Sequence, residues 1–259
     1  MASRAEQKAA ARAAREARQK QVSVARARRA RLTWLAGLSA VVVVALVIVI
    51  VVGGGSNSAT ESSRTARAKV IALLKGIPEH ANVLGEPTAP VTITEFGDLV
   101  CPACQAFALS SEQQLISHDV RDGTVKLVYR GMETASQFAN AGEYAAGQIA
   151  ARAAGLQNRE WYYVLLWYHE QPSEDTPYVT DAFMQNLASQ VPGLNLARWE
   201  ADRDDPTLAG DVTEDSHTAN ADGFDATPSL TFNGPKGHVQ PISAVPTYTG
   251  LTTAIKALG

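Results

Sequence analysis

The sequence PVTITEFGDLVCPACQAF, which occupies residues 90–107, decides the fold of this chain. Val91 and Ile93 are β-branched and favour a strand. Pro102 directly follows Cys101 and is typical of the first turn of a helix, where the N–H that proline lacks would have no partner in any case. The stretch therefore predicts a strand that leads straight into a helix, with a Cys-Pro-Ala-Cys sequence at the junction.

The two cysteines in this stretch are the only ones among the 259 residues. A thiol at the N-terminus of a helix faces unpaired backbone N–H groups and the positive end of the helix dipole, and both stabilise a thiolate. We therefore expect the pKa of Cys101 to lie below the ordinary value of about 8.5. Cys104 lies one turn further along the helix, where a more buried thiol can resolve a mixed disulfide. A Cys-x-x-Cys between a strand and a helix is typical of a redox site.

The charges divide the chain into two parts. Residues 1–31 carry ten lysines and arginines and two acidic residues, whereas the residues after them carry 13 basic and 24 acidic side chains. Residues 32–52 contain no charged side chain and consist mostly of valine, isoleucine, leucine and alanine. As a helix this run rises about 31 Å, close to the roughly 30 Å hydrocarbon thickness of a bilayer. The sequence therefore predicts a single transmembrane helix over residues 32–52.

The basic segment also predicts the orientation of that helix. Because basic residues stay on the cytoplasmic side, we expect the N-terminus in the cytoplasm and the acidic part outside, in a compartment where disulfides persist. The alternative is a signal peptide cleaved near residues 56–59, but the apolar run is longer than the 7–15 residues (roughly) that are usual in such peptides. The arginines could instead bind nucleic acid or anionic lipid. We expect a retained, single-pass membrane anchor and no nucleic-acid partner.

The remaining residues read as a linker followed by one α/β domain. Residues 53–81 begin with a glycine- and serine-rich linker and include a short helix. The domain, residues 82–259, is predicted to contain further strands over residues 124–130, 228–233 and 236–242, with an Asn-Gly hairpin turn between the last two. Seven helices are predicted, over residues 101–117, 136–154, 159–170, 181–190, 195–200, 207–221 and 249–258. Four of them are expected to have a capping residue at the N-terminus, namely Asn158, Thr180, Asn195 and Asp205. The elements therefore follow the order β–α–β, then a helical insertion at about residues 132–222, and then β–β–α. This is the order of a thioredoxin-like fold with an inserted helical domain.

Two stretches carry a resemblance to a known family. Residues 83–104, VLGEPTAPVTITEFGDLVCPAC, resemble the entry to DsbA-like thiol–disulfide oxidoreductases. Residues 223–234, GFDATPSLTFNG, resemble the cis-proline segment of that family. Over about residues 82–259 the chain is most similar to the membrane-anchored, DsbA-like group of Gram-positive bacteria.

The resemblance implies a role for five residues. Cys101 would be the nucleophile and Cys104 the resolving cysteine, so that their redox-active disulfide is the reactive group and no other cofactor is needed. Pro228 would be a cis-proline facing that disulfide, with Thr227 before it offering its backbone to an extended substrate segment. Glu95 would be a buried acid beneath the site that exchanges protons with Cys104. The alternative for Glu95 is a strand carboxylate that faces the edge of the sheet.

The function implied is extracytoplasmic introduction of disulfides into exported proteins, with reoxidation by a membrane partner of the DsbB or vitamin K epoxide reductase type. A disulfide reductase or isomerase would use the same residues, and a metal-binding or structural interaction domain is an alternative of another class. The Pro-Ala between the cysteines replaces the Pro-His of the strongest oxidants, which leaves the direction of electron flow open. The five histidines show no metal-ligand spacing, so we expect no metal site.

Overall fold

The computed structural model of the protein describes residues 61–135, 142–172 and 177–259. The predicted basic segment, the predicted transmembrane helix at residues 32–52 and the glycine-rich start of the linker lie outside the described residues. So does the beginning of the helix predicted over residues 136–154. Within the three described ranges, no helix combines the length and the apolar character needed to cross a membrane.

A single mixed sheet forms the centre of the domain. Its spatial order is β1-β2-β4-β3-β5-β6, and β3 runs parallel to β4 while every other pair is antiparallel. The strands are β1 (Glu79–His80), β2 (Val83–Leu84), β3 (Val91–Gly97), β4 (Val125–Gly131), β5 (Ser229–Gly234) and β6 (Gly237–Ser243). The sequence predicted the last four. The first two contain only two residues each, too few for an alternating pattern to be recognised.

Helices cover the sheet and fill the connection between β4 and β5. Residues 61–74 form α1. The redox motif opens α2 (Pro102–Ala108), which is followed by α3 (Ser111–Leu115) and a π-helical turn (Ile116–Val120). The insertion contains α4 (Glu143–Gly155), α5 (Glu160–Glu170), α6 (Asp181–Gln190), α7 (Leu196–Asp202) and α8 (Pro206–Ala221), and α9 (Tyr248–Leu258) closes the chain. This element order confirms the prediction of a thioredoxin-like α/β fold with a helical insertion.

Two local predictions were wrong. The single helix predicted over residues 101–117 is interrupted at Ser110, whose backbone φ of −128° and ψ of −97° lie outside the α-helical region. Asn158 does not cap α5, because its side-chain oxygen accepts from the Ala81 backbone N–H at 3.1 Å, and the N-cap is Arg159. The other three predicted caps each accept a backbone N–H of the first turn: Thr180, Asn195 and Asp205.

Asp215 of α8 is the centre of a buried ionic network that joins the insertion to the sheet. Its carboxylate accepts from the Arg130 guanidinium of β4 at 2.9 Å, from the Gly131 backbone N–H at 3.2 Å and from Arg152 of α4. Arg152 also approaches Glu160 of α5 at 3.6 Å. Asp215 is only 3% exposed, so its charge is stabilised almost entirely by these partners.

Replacing Asp215 by alanine should therefore strongly destabilise the domain. The substitution leaves the Arg152 charge buried with a single, longer contact, and breaking a buried ion pair on one side costs about 3–5 kcal/mol. The measurement is the free energy of unfolding in urea. The control is Glu214→Ala, which removes an exposed carboxylate from the neighbouring position of α8 and should change that free energy by less than about 0.5 kcal/mol. Equal losses in the two variants would contradict the assigned role of the network.

Candidate active site

Both cysteines lie at the carboxyl end of the central strand β3. Cys101 is the N-cap residue of α2 and is 7% exposed, whereas Cys104 is completely buried inside the first turn. Pro102 begins the helix as the sequence predicted, since its fixed φ suits that position. Both residues are free thiols, so the structure describes the reduced, dithiol form of the site.

The two thiols have opposite electrostatic environments. Hydrogen bonds lower the pKa of Cys101 from 9.0 to about 6, and the largest contribution comes from the Cys104 thiol. Burial partly opposes this shift, while hydrogen bonds from Thr227 and from the backbone N–H groups of Cys104 and Ala103 add to it. Burial raises the pKa of Cys104 well above its ordinary value, and the charges of Cys101 and Glu95 raise it further. Cys101 is therefore a thiolate at neutral pH while Cys104 keeps its proton.

Thr227 lies directly against the nucleophile, and Pro228 follows it in the chain. The Thr227–Pro228 peptide bond is cis, and both residues are buried at the start of β5. Sγ of Cys101 lies 3.6 Å from the Thr227 carbonyl oxygen, to which it donates when it is protonated, and the two residues are 126 positions apart in the chain. The structure thus brings together the two stretches of sequence on which the family resemblance was based.

Glu95 lies beneath the cysteines in the middle of the sheet. Its strand, β3, is flanked by β4 and β5, so the alternative of a carboxylate at the sheet edge is wrong. The side chain is 1% exposed, and burial raises its pKa well above the usual range. The second cause of the increase is the negative charge of Glu112 on α3, a residue that the sequence analysis did not identify.

Asp98 is a further site residue that the sequence analysis missed. Its buried carboxylate accepts from the Val100 backbone N–H at 3.0 Å and from the Thr134 backbone N–H at 2.9 Å. The Thr134 hydroxyl lies 2.5 Å from the Thr227 hydroxyl, and Thr227 contacts Cys101. A closed ring of contacts therefore surrounds the nucleophile. The three contacts of this ring join residues that are 36, 93 and 126 positions apart in the chain. No local sequence pattern could therefore reveal it.

The helical insertion binds the loop before Cys101 through three successive backbone carbonyls. The carbonyls of residues 98, 99 and 100 accept hydrogen bonds at 3.4, 3.4 and 2.7 Å, respectively. The donors are the Tyr168 hydroxyl at the end of α5, the Tyr178 hydroxyl and the Gln171 amide. Buried carbonyls outside a sheet ladder need such partners, and here the insertion provides them.

Within residues 61–135, 142–172 and 177–259, no group of three histidine, cysteine, aspartate or glutamate side chains is placed to hold a metal ion. The arrangement of the cysteines, with one reactive and one buried sulfur, is suited to thiol–disulfide exchange.

The hydrogen bond from Cys104 should control the acidity of Cys101. In the reduced protein we expect the Cys101 thiolate to titrate with a midpoint at about pH 6, and Cys104→Ala, which removes the donor, to raise that midpoint. Cys104→Ser is the matched control, because its hydroxyl keeps a donor of similar size and should leave the midpoint lower than alanine does. The measurement is thiolate absorbance in the ultraviolet against pH. Identical midpoints in the two variants would contradict the assignment.

Comparisons with known proteins identify the family of this chain. The family described as "Thioredoxin" matches residues 79–257. "Disulfide bond formation protein D" of Bacillus subtilis (strain 168) is 27% identical over 169 residues, which cover 62% of this chain and 69% of the relative. "Probable disulfide bond formation protein D" of Bacillus anthracis is 24% identical over 152 residues, covering 58% of this chain and 69% of the relative.

Two solved structures show a similar fold. BdbD from Bacillus subtilis, in its oxidised form, superimposes with a TM-score of 0.60 at 22% identity, covering 70% of this chain and 95% of that chain. DsbA2 of Pseudomonas aeruginosa gives a TM-score of 0.52 at 21% identity, covering 71% of this chain and 97% of that chain. Because the family match extends over more than half of the sequence, this chain belongs to the thioredoxin family and is homologous to the Bacillus disulfide bond formation proteins.

Proposed function

We propose that this protein is an extracytoplasmic thiol–disulfide oxidoreductase that forms disulfides in exported proteins by exchange at Cys101 and Cys104. The observation that carries the proposal is the difference between the two sulfurs. Cys101 has a pKa of about 6 and lies against the Thr227 carbonyl, while Cys104 is buried and protonated. The homologues in Bacillus are named for disulfide bond formation, which favours the oxidising direction.

The exchange proceeds in two steps in which sulfur is the only element that changes oxidation state. A substrate thiolate attacks Sγ of Cys101 in the oxidised protein, the Cys101–Cys104 bond breaks, and Cys104 leaves as a thiolate that takes up a proton. A second substrate thiolate then attacks the substrate sulfur of the mixed disulfide, and Cys101 leaves as a thiolate. The low pKa of Cys101 makes it a good leaving group and stabilises the reduced protein, so the disulfide is a better oxidant.

Thr227, Pro228 and Glu95 support these steps. The Thr227 carbonyl is next to Cys101, where the backbone of an extended substrate segment would have to pass to reach the sulfur. Pro228 fixes the direction of the chain at that point. Glu95 is the acid whose charge acts on the buried Cys104 thiol, and it can give Cys104 a proton or accept one from it.

The protein would be held at the outer face of the membrane by residues 32–52. The support for this is the uncharged run itself, together with the ten basic residues before it, which favour a cytoplasmic N-terminus. Each turnover leaves the protein as a dithiol, so it needs an oxidant. A quinone-linked membrane protein of the DsbB or vitamin K epoxide reductase type has the required chemistry and location.

The direct test of the direction is the reduction potential of the purified protein in glutathione buffers. A value at or above about −180 mV is expected for a disulfide donor, because stabilising the Cys101 thiolate favours the reduced form. A value near about −270 mV, the level of thioredoxin, would instead assign the protein as a reductase.

The second part of the test is oxidation of a reduced, unfolded substrate protein. Cys101→Ser should lower the oxidation rate at least about 1,000-fold, since the attacked sulfur is lost. The control is Ser117→Ala, which replaces a hydroxyl on the π-helical turn by a group of similar size and should keep full activity. Retained activity in Cys101→Ser would overturn the proposed function.

A further inference from the structure

Two glutamates form a buried carboxyl pair beneath the cysteines. Glu95 on β3 and Glu112 on α3 are each 1% exposed, and their carboxyl groups are hydrogen-bonded to each other. In both residues the Oε1 atom is buried, and no N–H or O–H group of another described residue donates to it. Buried polar atoms are nearly always satisfied in native proteins, so two unsatisfied oxygens in one contact pair require an explanation.

Neither carboxyl group takes part in an ion pair within the part of the chain that the structure describes. Among the described residues, the ion pairs of lysine, arginine and histidine involve other carboxylates, chiefly Asp215, Asp181 and Asp202. Two adjacent carboxylates that are both buried cannot both be ionised, because each loses its hydration and repels the other. The pair must therefore hold at least one proton, and the hydrogen bond between the two groups is the place for it.

Four titratable groups, each on a different element, interact electrostatically with Glu95. They are Glu112 on α3, the Cys104 thiol on α2, the Tyr129 hydroxyl on β4 and the Tyr168 hydroxyl on α5. Burial raises the pKa of both tyrosines well above the usual range, so they remain neutral. Hence the groups that can exchange a proton with Glu95 at ordinary pH are Cys104 on one side and Glu112 on the other.

We infer that Glu112 is a positioning residue that shares a proton with Glu95 and so keeps the Glu95 carboxyl able to exchange a proton with Cys104. A lone Glu95 would have only burial to hold its proton. With Glu112 beside it, the pair titrates as a unit, in the same way as other carboxyl dyads that share one proton. The inference rests on the proposed function, because Cys104 needs a proton donor only if its disulfide is broken during turnover.

The carboxyl pair has a role both when the protein oxidises a substrate and when the protein is itself reoxidised. When a substrate thiolate breaks the Cys101–Cys104 bond, Cys104 leaves as a thiolate and takes the proton from Glu95, which the pair then recovers. When a disulfide of the membrane oxidant is attacked by the Cys101 thiolate, Cys104 returns its proton to the ionised pair. The Cys104 thiolate then attacks Sγ of Cys101, which forms the enzyme disulfide and releases the oxidant as a dithiol.

The experiment is the pH dependence of this resolving step. The reduced protein is mixed with oxidised glutathione from pH 4 to pH 9, and the rate at which the mixed disulfide converts to the Cys101–Cys104 disulfide is followed by acid quench and alkylation. In the wild type the rate should rise with pH as the pair becomes ionised. Glu112→Gln keeps the size of the side chain but removes its charge, so Glu95 should ionise more readily and the rise should move by about one pH unit to lower pH.

Glu160→Gln is the matched control. Glu160 is likewise 1% exposed, and burial raises its pKa to about 7, but it pairs with Arg152 and is not among the groups that act on Cys104. This variant should lose stability while keeping the wild-type pH profile. The inference is overturned if the profile of Glu112→Gln coincides with that of the wild type, or if Glu160→Gln shifts the profile equally.

A second measurement uses the unaltered protein and so does not depend on the folding of a variant. Infrared difference spectra between the oxidised and reduced forms should contain a protonated-carboxyl band that changes with the redox state. The absence of such a band would also overturn the inference. Oxidation activity that survives in Cys101→Ser would instead contradict the proposed function. A failure of the inference about Glu112 can therefore be distinguished from a failure of the proposed function.

Discussion

The domain is organised around one constraint, namely that two sulfur atoms one helical turn apart must prefer opposite protonation states. Cys104 is completely buried, which makes its thiolate unfavourable, and its retained proton is donated to Cys101. The same hydrogen bond that lowers the pKa of Cys101 raises that of Cys104. The asymmetry therefore arises within the pair, and the surrounding structure has to keep one sulfur accessible and the other sealed.

The helical insertion contributes directly to that geometry. The loop before Cys101 leaves the sheet, so its backbone carbonyls lose their ladder partners and need others. Side chains from α5 and the segment after it provide them, and Asp98 connects the same loop to Thr134 and hence to Thr227. An insertion that is 36 or more residues away in the chain thus sets the position of the nucleophile relative to the cis-proline segment.

Burial of an acidic side chain is energetically unfavourable, and the domain compensates for it in two different ways. Asp215 is compensated by two arginines and a backbone N–H, the usual solution for a buried charge. Glu95 and Glu112 have no such cation among the described residues, and a shared proton is the remaining solution. The first arrangement holds two layers of the fold together, and the second leaves a mobile proton next to the redox site.

The sequence by itself determined the order of the main elements from β3 onward, the α/β fold with its helical insertion, and the position of the cysteine pair at the junction of β3 and α2. These features depend on local signals: β-branched runs, a proline after Cys101, and capping residues such as Thr180 and Asp205. The break of the first helix at Ser110 was missed because no glycine or proline marks it in the sequence. Only the tertiary structure decided that Glu95 pairs with Glu112 and that Asp98 and Thr134 join the ring around Cys101. The physical reason is that burial and hydrogen-bond partners depend on contacts between distant segments. Neither the residue type at a position nor its neighbours in the sequence reveal those contacts.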